Sequence, residues 1–546
     1  MPLNVLLVAS EALPLAKTGG LADMLSAYAP AIRGAGVEAT LLMPGYPEAL
    51  RRAHGLTHVA TLDDLPGGSG ELWQGRLPDT GVPVLLLRMD QHYARSGLYQ
   101  DEDGNEWADN AIRFGALAAA AARIAAGLPG LARPNIVHAH DWHAGLTPLY
   151  LKLAGLHATK SVFTIHNLAF QGNYSLSSAA ALGLPTSLLT AGPDADGIEF
   201  YGQLSFMKAG IRFADRVTTV SENYAREIMT PRFGQLMDGV LHQHASKVVG
   251  ITNGIDMAAW NPADDPLIAR AFSINDMRGK HSCKRDLQQL FGLPVDPFVP
   301  VLAIGSRLTA QKMVDLARDT LENVLQAYPR LQVVVMGKGE AAAEAAMVNL
   351  ARRFPDRVAV HIGYDEKRAH MLHAGADILL HGSRFEPCGL TPMYTMRYGT
   401  IPVASRVGGL ADTIVDEALV RTTAPLLREA STGAIVAHAV DADLPATGFL
   451  FDGESVAQMT AAVVRAIESF MRPASWRALQ RNAMQCDFSW QRPAKQYVEL
   501  YAALSGRTVV KAPRTVPKTR AVRAVPAAAN DRAGRLVAGS LAQMTA

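Results

Sequence analysis

One pattern recurs along this chain. A short unbroken apolar run ends in a polar or glycine-bearing mouth, and a stretch of helical length follows. Residues 3–9 (LNVLLVA), 37–43 (VEATLLM), 82–88 (VPVLLLR), 135–139 (NIVHA), 161–165 (SVFTI) and 216–220 (RVTTV) carry it first. It restarts at 299–305 (VPVLAIG) and continues at 331–336, 358–362, 377–381 and 401–405. Strands that are apolar throughout, rather than alternating, are covered on both faces. That calls for a parallel sheet with helices on each side. The expected fold class is therefore α/β, with two Rossmann-like doubly wound parallel-sheet domains facing across a cleft. Residues 1–250 form the first domain and 299–487 the second. A boundary region, 251–298, carries prolines and charged turns between them. Phe488-Ser489-Trp490 opens a terminal helix over 488–504, a candidate to cross back to the first domain. Residues 505–546 read as a mobile, basic, Pro/Ala-rich tail.

Composition narrows the classes further. Of 546 residues, 49% are apolar and 19% charged, which is globular rather than disordered. The formal net charge of +2 hides a division. Between Arg507 and Arg535 eight basic residues face one acid, Asp531, so the remainder is mildly acidic. A nucleic-acid partner is not expected, and the tail is left a weak contact with some anionic surface at most. Cys283, Cys388 and Cys486 lie far apart, which argues against disulfide scaffolding and a cysteine zinc site. The start has no basic region ahead of its apolar run, and runs such as Ala116–Ala122 are too short to span a bilayer. The expectation is a cytoplasmic protein with no membrane partner.

Five constellations fall at the ends of these strands. Lys17-Thr18-Gly19-Gly20-Leu21-Ala22-Asp23 pairs a cation with two glycines at a helix start. Glycines admit a ligand close to the backbone, and free N–H groups there favour anions. The spacing is neither GxGxxG nor GxxxxGK[ST], so the usual dinucleotide and P-loop readings fail. Arg307 and Lys312, in SRLTAQK (306–312), suit a diphosphate whose charge grows as it leaves. Glu386, in SRFEPCGL (383–390), can accept sugar hydroxyls or favour positive character at a sugar carbon. His138, His140, Asp141 and His143 lie close together, with His166 and Asn167 on the next strand end. H-x-H-x-x-H matches no closed zinc pattern, so a sugar site is preferred to a metal site. Gly408-Gly409-Leu410-Ala411-Asp412 repeats the glycine pair in the second domain. Taken singly, each has a plainer reading as a turn, a solvated charge or a helix cap.

Taken in order, the motifs resemble the bacterial glycogen synthases, which are similar to plant starch synthases. KTGGLAD (17–23), HAHDWHAG (138–145), SVFTIHNLAFQG (161–172), NGID and WNP (253–262), SRLTAQK, SRFEPCGL and MRYGTIPVASRVGGLADTI (396–414) carry the resemblance from about Leu3 to Leu504. It implies the GT-B arrangement, no metal or cofactor, and glucose transfer from ADP-glucose to the non-reducing end of an α-1,4-glucan with retention. Glycogen or a maltooligosaccharide is the implied acceptor. On this resemblance Lys17, Arg307 and Lys312 hold the ADP phosphates. Asp141 and His166 lie at the donor glucose, and Glu386 binds its hydroxyls. N–H groups near Gly19, Gly20, Gly409 and Leu410 take phosphate or sugar oxygens. Asp23 and Asn167 are further candidates, and Glu106, Trp107, Asp109 and Asn110 are candidates for the acceptor groove. Three departures stand out. Met313 replaces the usual Gly after QK, Pro392 replaces a usual Gln, and Thr230–Gly239 departs from TPxFGxGLDG. A UDP-glucose-dependent transferase of the same architecture and a non-catalytic glucan-binding protein remain alternatives. An oxidoreductase lacks its glycine fingerprint, and no lysine is identifiable for a phosphorylase's pyridoxal phosphate.

Overall fold

The computed structural model describes residues 3–190, 197–418, 445–507 and 536–537. Most of the basic tail, read above as mobile, lies outside the described residues. The chain divides into two compact units. The first is Met1–Asp256 with a return segment that begins at Ser489, and the second is centred on Met257–Phe488.

The first unit is built on β1 (Leu3–Val8), β2 (Val37–Pro44), β3 (His54–Leu65), β4 (Gly68–Arg76), β5 (Pro83–Arg88), β6 (Ile136–His140), β7 (Lys160–Ile165), β11 (Arg216–Thr219) and β12 (Val248–Gly250). Three short strands, β8 (Asn173–Ser175), β9 (Glu199–Phe200) and β10 (Gln203–Ser205), form a separate antiparallel sheet. The main sheet runs β12-β11-β7-β6-β1-β2-β5-β4-β3. It is parallel from β12 to β5, and then β4 and β3 pair antiparallel. Successive side chains of β1 serve opposite faces, as strand geometry requires. Leu3, Val5 and Leu7 join the core that includes Leu25 and Tyr28. Leu6 and Val8 join the core that includes Phe114 and Phe163. The helix Gly20–Gly34 buries Leu21, Leu25, Tyr28 and Ile32 on one side, the spacing of a single helical face.

The β3–β4 hairpin is absent from the sequence reading. Most of β3 is exposed or half-exposed, so it shows no continuous apolar run. The return segment carries the helix Gln491–Ser505, whose Ala494, Tyr497 and Tyr501 are buried in the Tyr28 core.

The second unit contains β13 (Val301–Gly305), β14 (Gln332–Gly337), β15 (Val358–Ile362), β16 (Ile378–His381), β17 (Ile401–Ser405) and β18 (Phe449–Phe451), with β19 (Leu536–Val537) at an edge. The order is β18-β17-β16-β13-β14-β15-β19, parallel except for β19. Within the stretch read as a boundary region, the helix Arg278–Leu290 belongs to this unit. Its Leu287 packs in the core with Val301, Val334 and Leu372. Lys284 of the same helix pairs with buried Asp377 at 2.7 Å. Among the described residues, no helix is long and apolar enough to cross a membrane.

Two candidate active-site clusters at the strand switch points

In an open parallel sheet, ligands bind beyond the carboxyl ends of the strands, where the winding reverses. In the first unit the reversal falls between β1 and β6. The loop after β1 carries Lys17–Gly20, and the turn after β6 carries Asp141. In the second unit it falls between β13 and β16. The loops there carry Arg307–Lys312 and Gly382–Gly389.

Asp141 is the strained residue of the first cluster. Its φ of 59° and ψ of 178° lie in a region that side chains rarely adopt. Its Oδ1 accepts the N–H groups of His166, at 2.9 Å, and Asn167, at 3.3 Å. The Asp141 N–H donates to the Thr164 carbonyl at 2.9 Å. Two strand ends are thereby tied together, and burial pushes the Asp141 carboxyl up to about 7 despite the two donors. His166 is half-buried, and burial pushes it down to about 3, so the ring is neutral. Asn167 Oδ1 accepts the Ala169 N–H at 3.1 Å, which shapes the loop.

Glu11 was missed by the sequence reading. It is only 3% exposed, and its carboxylate accepts the N–H groups of Thr18, at 2.5 Å, and Gly19, at 3.1 Å. Tyr99 also donates to it, and the Tyr99 ring stacks on His143 with centroids 4.4 Å apart. The Gly19 N–H, expected to meet a ligand oxygen, is thus engaged by Glu11 here. Gly20 opens the helix that follows, and Lys17 pairs with Asp23 at 2.8 Å.

The acceptor candidates divide. Glu106 is exposed, and Trp107 is half-buried with the Arg95 guanidinium 4.9 Å from its ring centroid. Asp109 is committed to Arg95, at 2.5 and 2.7 Å, and to His92 at 2.8 Å. Asn110 is corrected to a structural residue. It is 0% exposed, and its Oδ1 accepts from fully buried Arg113 at 2.7 Å.

In the second cluster the loops after β13 and β16 are joined by several bonds. Lys312 Nζ bonds Glu386 Oε2, which also accepts from Ser383 Oγ at 2.8 Å and lies 3.1 Å from His381 Nε2. Burial alone would raise the Glu386 carboxyl. The Lys312 ammonium and His381 outweigh it and hold Glu386 well below the usual carboxylate range. The Arg384 N–H donates to the Gln311 carbonyl at 2.9 Å. Arg307 is exposed and bonded to Gln311 Oε1 at 2.9 Å. Met313 takes up the left-handed conformation, φ 50°, at 1% exposure.

One expectation is corrected here. The Gly409 N–H donates to the Glu386 carbonyl at 3.0 Å, and the Leu410 N–H to the Val407 carbonyl at 3.1 Å. Both donors serve the loop. A Cβ at Gly409 would lie 2.1 Å from the Cys388 carbonyl oxygen, so this close approach requires glycine. Among the described residues, no group of three or more His, Cys, Asp or Glu side chains is placed to hold a metal ion.

The comparisons agree with this architecture. The family described as starch synthase catalytic domain matches residues 4–243, and glycosyl transferases group 1 matches residues 294–481. The two Rossmann-like units are thus those of a GT-B glycosyltransferase. A glycogen synthase of Bordetella petrii is 50% identical over 510 residues, 93% of this chain and 93% of the relative. One of Ralstonia nicotianae is 51% identical over 508 residues, 93% of this chain and 89% of the relative. The catalytic domain of starch synthase IV from Arabidopsis thaliana, solved with ADP and acarbose, superimposes with a TM-score of 0.80 at 29% identity. That match covers 93% of this chain and all of that one. The chain belongs to the glycogen synthase family and is a glucosyltransferase of the starch/glycogen synthase type.

Proposed function

We propose that the chain transfers glucose from ADP-glucose to the 4-hydroxyl at the non-reducing end of an α-1,4-glucan, retaining the α configuration without metal or cofactor. The observation that carries this reading is the Lys312–Glu386 pair at the switch point of the second unit, with Arg307 exposed on the same loop. Arg307 and Lys312 take the diphosphate and stabilise it as it departs. Lys17 serves the phosphates from the first unit. Glu386, ionised, accepts hydroxyls of the donor glucose, and Asp141 fixes the loop that presents His166 to that sugar. Tyr364, 67% exposed just beyond β15, offers an aromatic face suited to a base.

Attack by the acceptor oxygen from the leaving group's face fits these side chains. Asp141 is 7% exposed and its Oδ1 already accepts two N–H groups, which suits it poorly as a nucleophile. The departing phosphate takes the acceptor's proton. Glu106, Trp107 and Asp23 remain candidates for acceptor contacts. We place the reaction in the cytoplasm, on glycogen or maltooligosaccharides, with no nucleic-acid or membrane partner.

The test is a donor panel. Purified protein is incubated with short maltooligosaccharides and either ADP-glucose or UDP-glucose, and nucleotide release is followed with chain length. ADP release matched by added glucose units is the expected result. Lengthening with UDP-glucose alone would overturn the donor assignment, and release without lengthening would overturn the acceptor.

A further inference from the structure

Behind His166 lies a set of buried rings that the transfer itself does not use. His140 Nδ1 lies 3.1 Å from His166 Nε2. The His140 ring packs on His138, with centroids 4.0 Å apart, and meets Tyr28 edge-on at 6.2 Å. His138 is itself pinned at both nitrogens, by Tyr501 Oη at 2.5 Å and Thr164 Oγ1 at 2.5 Å. His140 therefore has little freedom to turn. It is 0% exposed, and its Nε2 is buried with no hydrogen-bond partner among the described residues.

A single proton lies between the two facing nitrogens, and the surroundings decide which ring owns it. Burial disfavours the charged form of both rings, so each carries one proton. A proton on His140 Nε2 would be a buried donor facing no acceptor, a costly arrangement. On Nδ1 the same proton is used in the bond to His166. His166 Nε2 then accepts, and the proton of His166 must sit on Nδ1. That nitrogen has no bond to any described residue.

We propose that His140 is a positioning residue that fixes His166 in its Nδ1–H tautomer, so that His166 offers a hydrogen-bond donor to an oxygen of the bound sugar. The sugar as recipient rests on the functional reading above, whereas the tautomer does not. Without His140 the proton of His166 is free to occupy Nε2, and Nδ1 becomes an acceptor.

The experiment uses the full chain labelled with ring-15N histidine. Two-bond 15N–1H correlations distinguish protonated from bare ring nitrogens, and the His166→Ala spectrum assigns the His166 signals. The expected wild-type pattern is a protonated Nδ1 and a bare Nε2. His140→Ala should move His166 to the Nε2–H pattern or to an average of the two. A wild-type His166 protonated at Nε2 would overturn the proposal, and so would an unchanged His166 pattern in a folded His140→Ala protein. Should His140→Ala fail to fold, the wild-type spectrum alone decides.

Kinetics give a second readout. His140→Ala should lower kcat roughly tenfold to a hundredfold, the range for one misplaced buried hydrogen bond. KM for maltooligosaccharide should stay near wild type. His140→Asn, which can place an amide N–H near the position of Nδ1, should recover part of the loss. A purely structural role would lower the thermal midpoint without moving the tautomer. If wild-type protein fails to transfer glucose, the functional reading falls while the tautomer result stands. An Nε2–H His166 in an active enzyme sinks only this inference.

Discussion

Lys312 and Glu386 form a largely buried ion pair that ties the loop after β13 to the loop after β16. The pair sits where the second sheet reverses its winding, and the same cation is proposed to meet the departing diphosphate. The ammonium is thus held by a carboxylate before any ligand arrives.

Lys312→Met should therefore damage stability as well as turnover. It leaves Glu386 buried with only His381 and Ser383 beside it, a loss of about 3–5 kcal/mol. The paired Glu386 carboxyl is depressed, so its contribution is present above the ordinary glutamate value of about 4.3 and is lost as pH falls below it. Denaturant unfolding at several pH values checks this. Lys312→Met should lose the pair's contribution at pH 7, and adding Glu386→Gln should restore part of it.

Asp141→Asn should stabilise the protein at alkaline pH while depressing turnover. The folded carboxyl is raised to about 7, above its unfolded value. Its ionisation therefore costs stability as pH rises through the window from about 4 to 7, by on the order of 4 kcal/mol once complete. Asparagine keeps an oxygen for the His166 and Asn167 N–H groups and has nothing to ionise. Unfolding at pH 8 should show the variant more stable than wild type, with the difference gone near pH 4.

Met313→Gly sets two effects against each other. Glycine relieves a left-handed conformation worth about 1–2 kcal/mol. It also empties a site that is 1% exposed, and buried Met truncations cost about 2–5 kcal/mol. The net expectation is a loss, read as a lower thermal midpoint. The side chain faces inward, with Ser405 Oγ 3.8 Å from its sulfur, so KM for ADP-glucose should stay near wild type.

Asn110→Ala tests the correction made for the acceptor candidates. Removing one acceptor from buried Arg113 should cost about 1–3 kcal/mol in stability. KM for maltooligosaccharide should not move, whereas an acceptor-groove residue would raise it.

The parallel strands were legible because both faces of each are buried, so the sequence shows unbroken apolar runs. The β3–β4 hairpin was not, since its strands lie near water at a sheet edge. Asp141 stood out as a polar residue directly after an apolar run, and Glu386 as a carboxylate in the polar loop that follows one. Glu11 lies just after the run 3–9, but its role was not legible there. Its role depends on a loop folding back seven residues to deliver the Thr18 N–H, and only the fold shows that. The glycine pair at 408–409 was legible as a close approach, but its partner was mistaken. The approach is to the Cys388 backbone.

The helix Gln491–Ser505 has a consequence for how the protein is made. Tyr501, whose hydroxyl meets both Tyr28 and His138, leaves the ribosome after the Met257–Phe488 body of the second unit. At ordinary elongation rates that delay is on the order of tens of seconds. Throughout it, the nascent first unit lacks the lid of its Tyr28 core and the hydroxyl that pins His138. A chain that stops early at any point before this helix carries a first unit whose Tyr28 core is unfinished, whatever else it has completed.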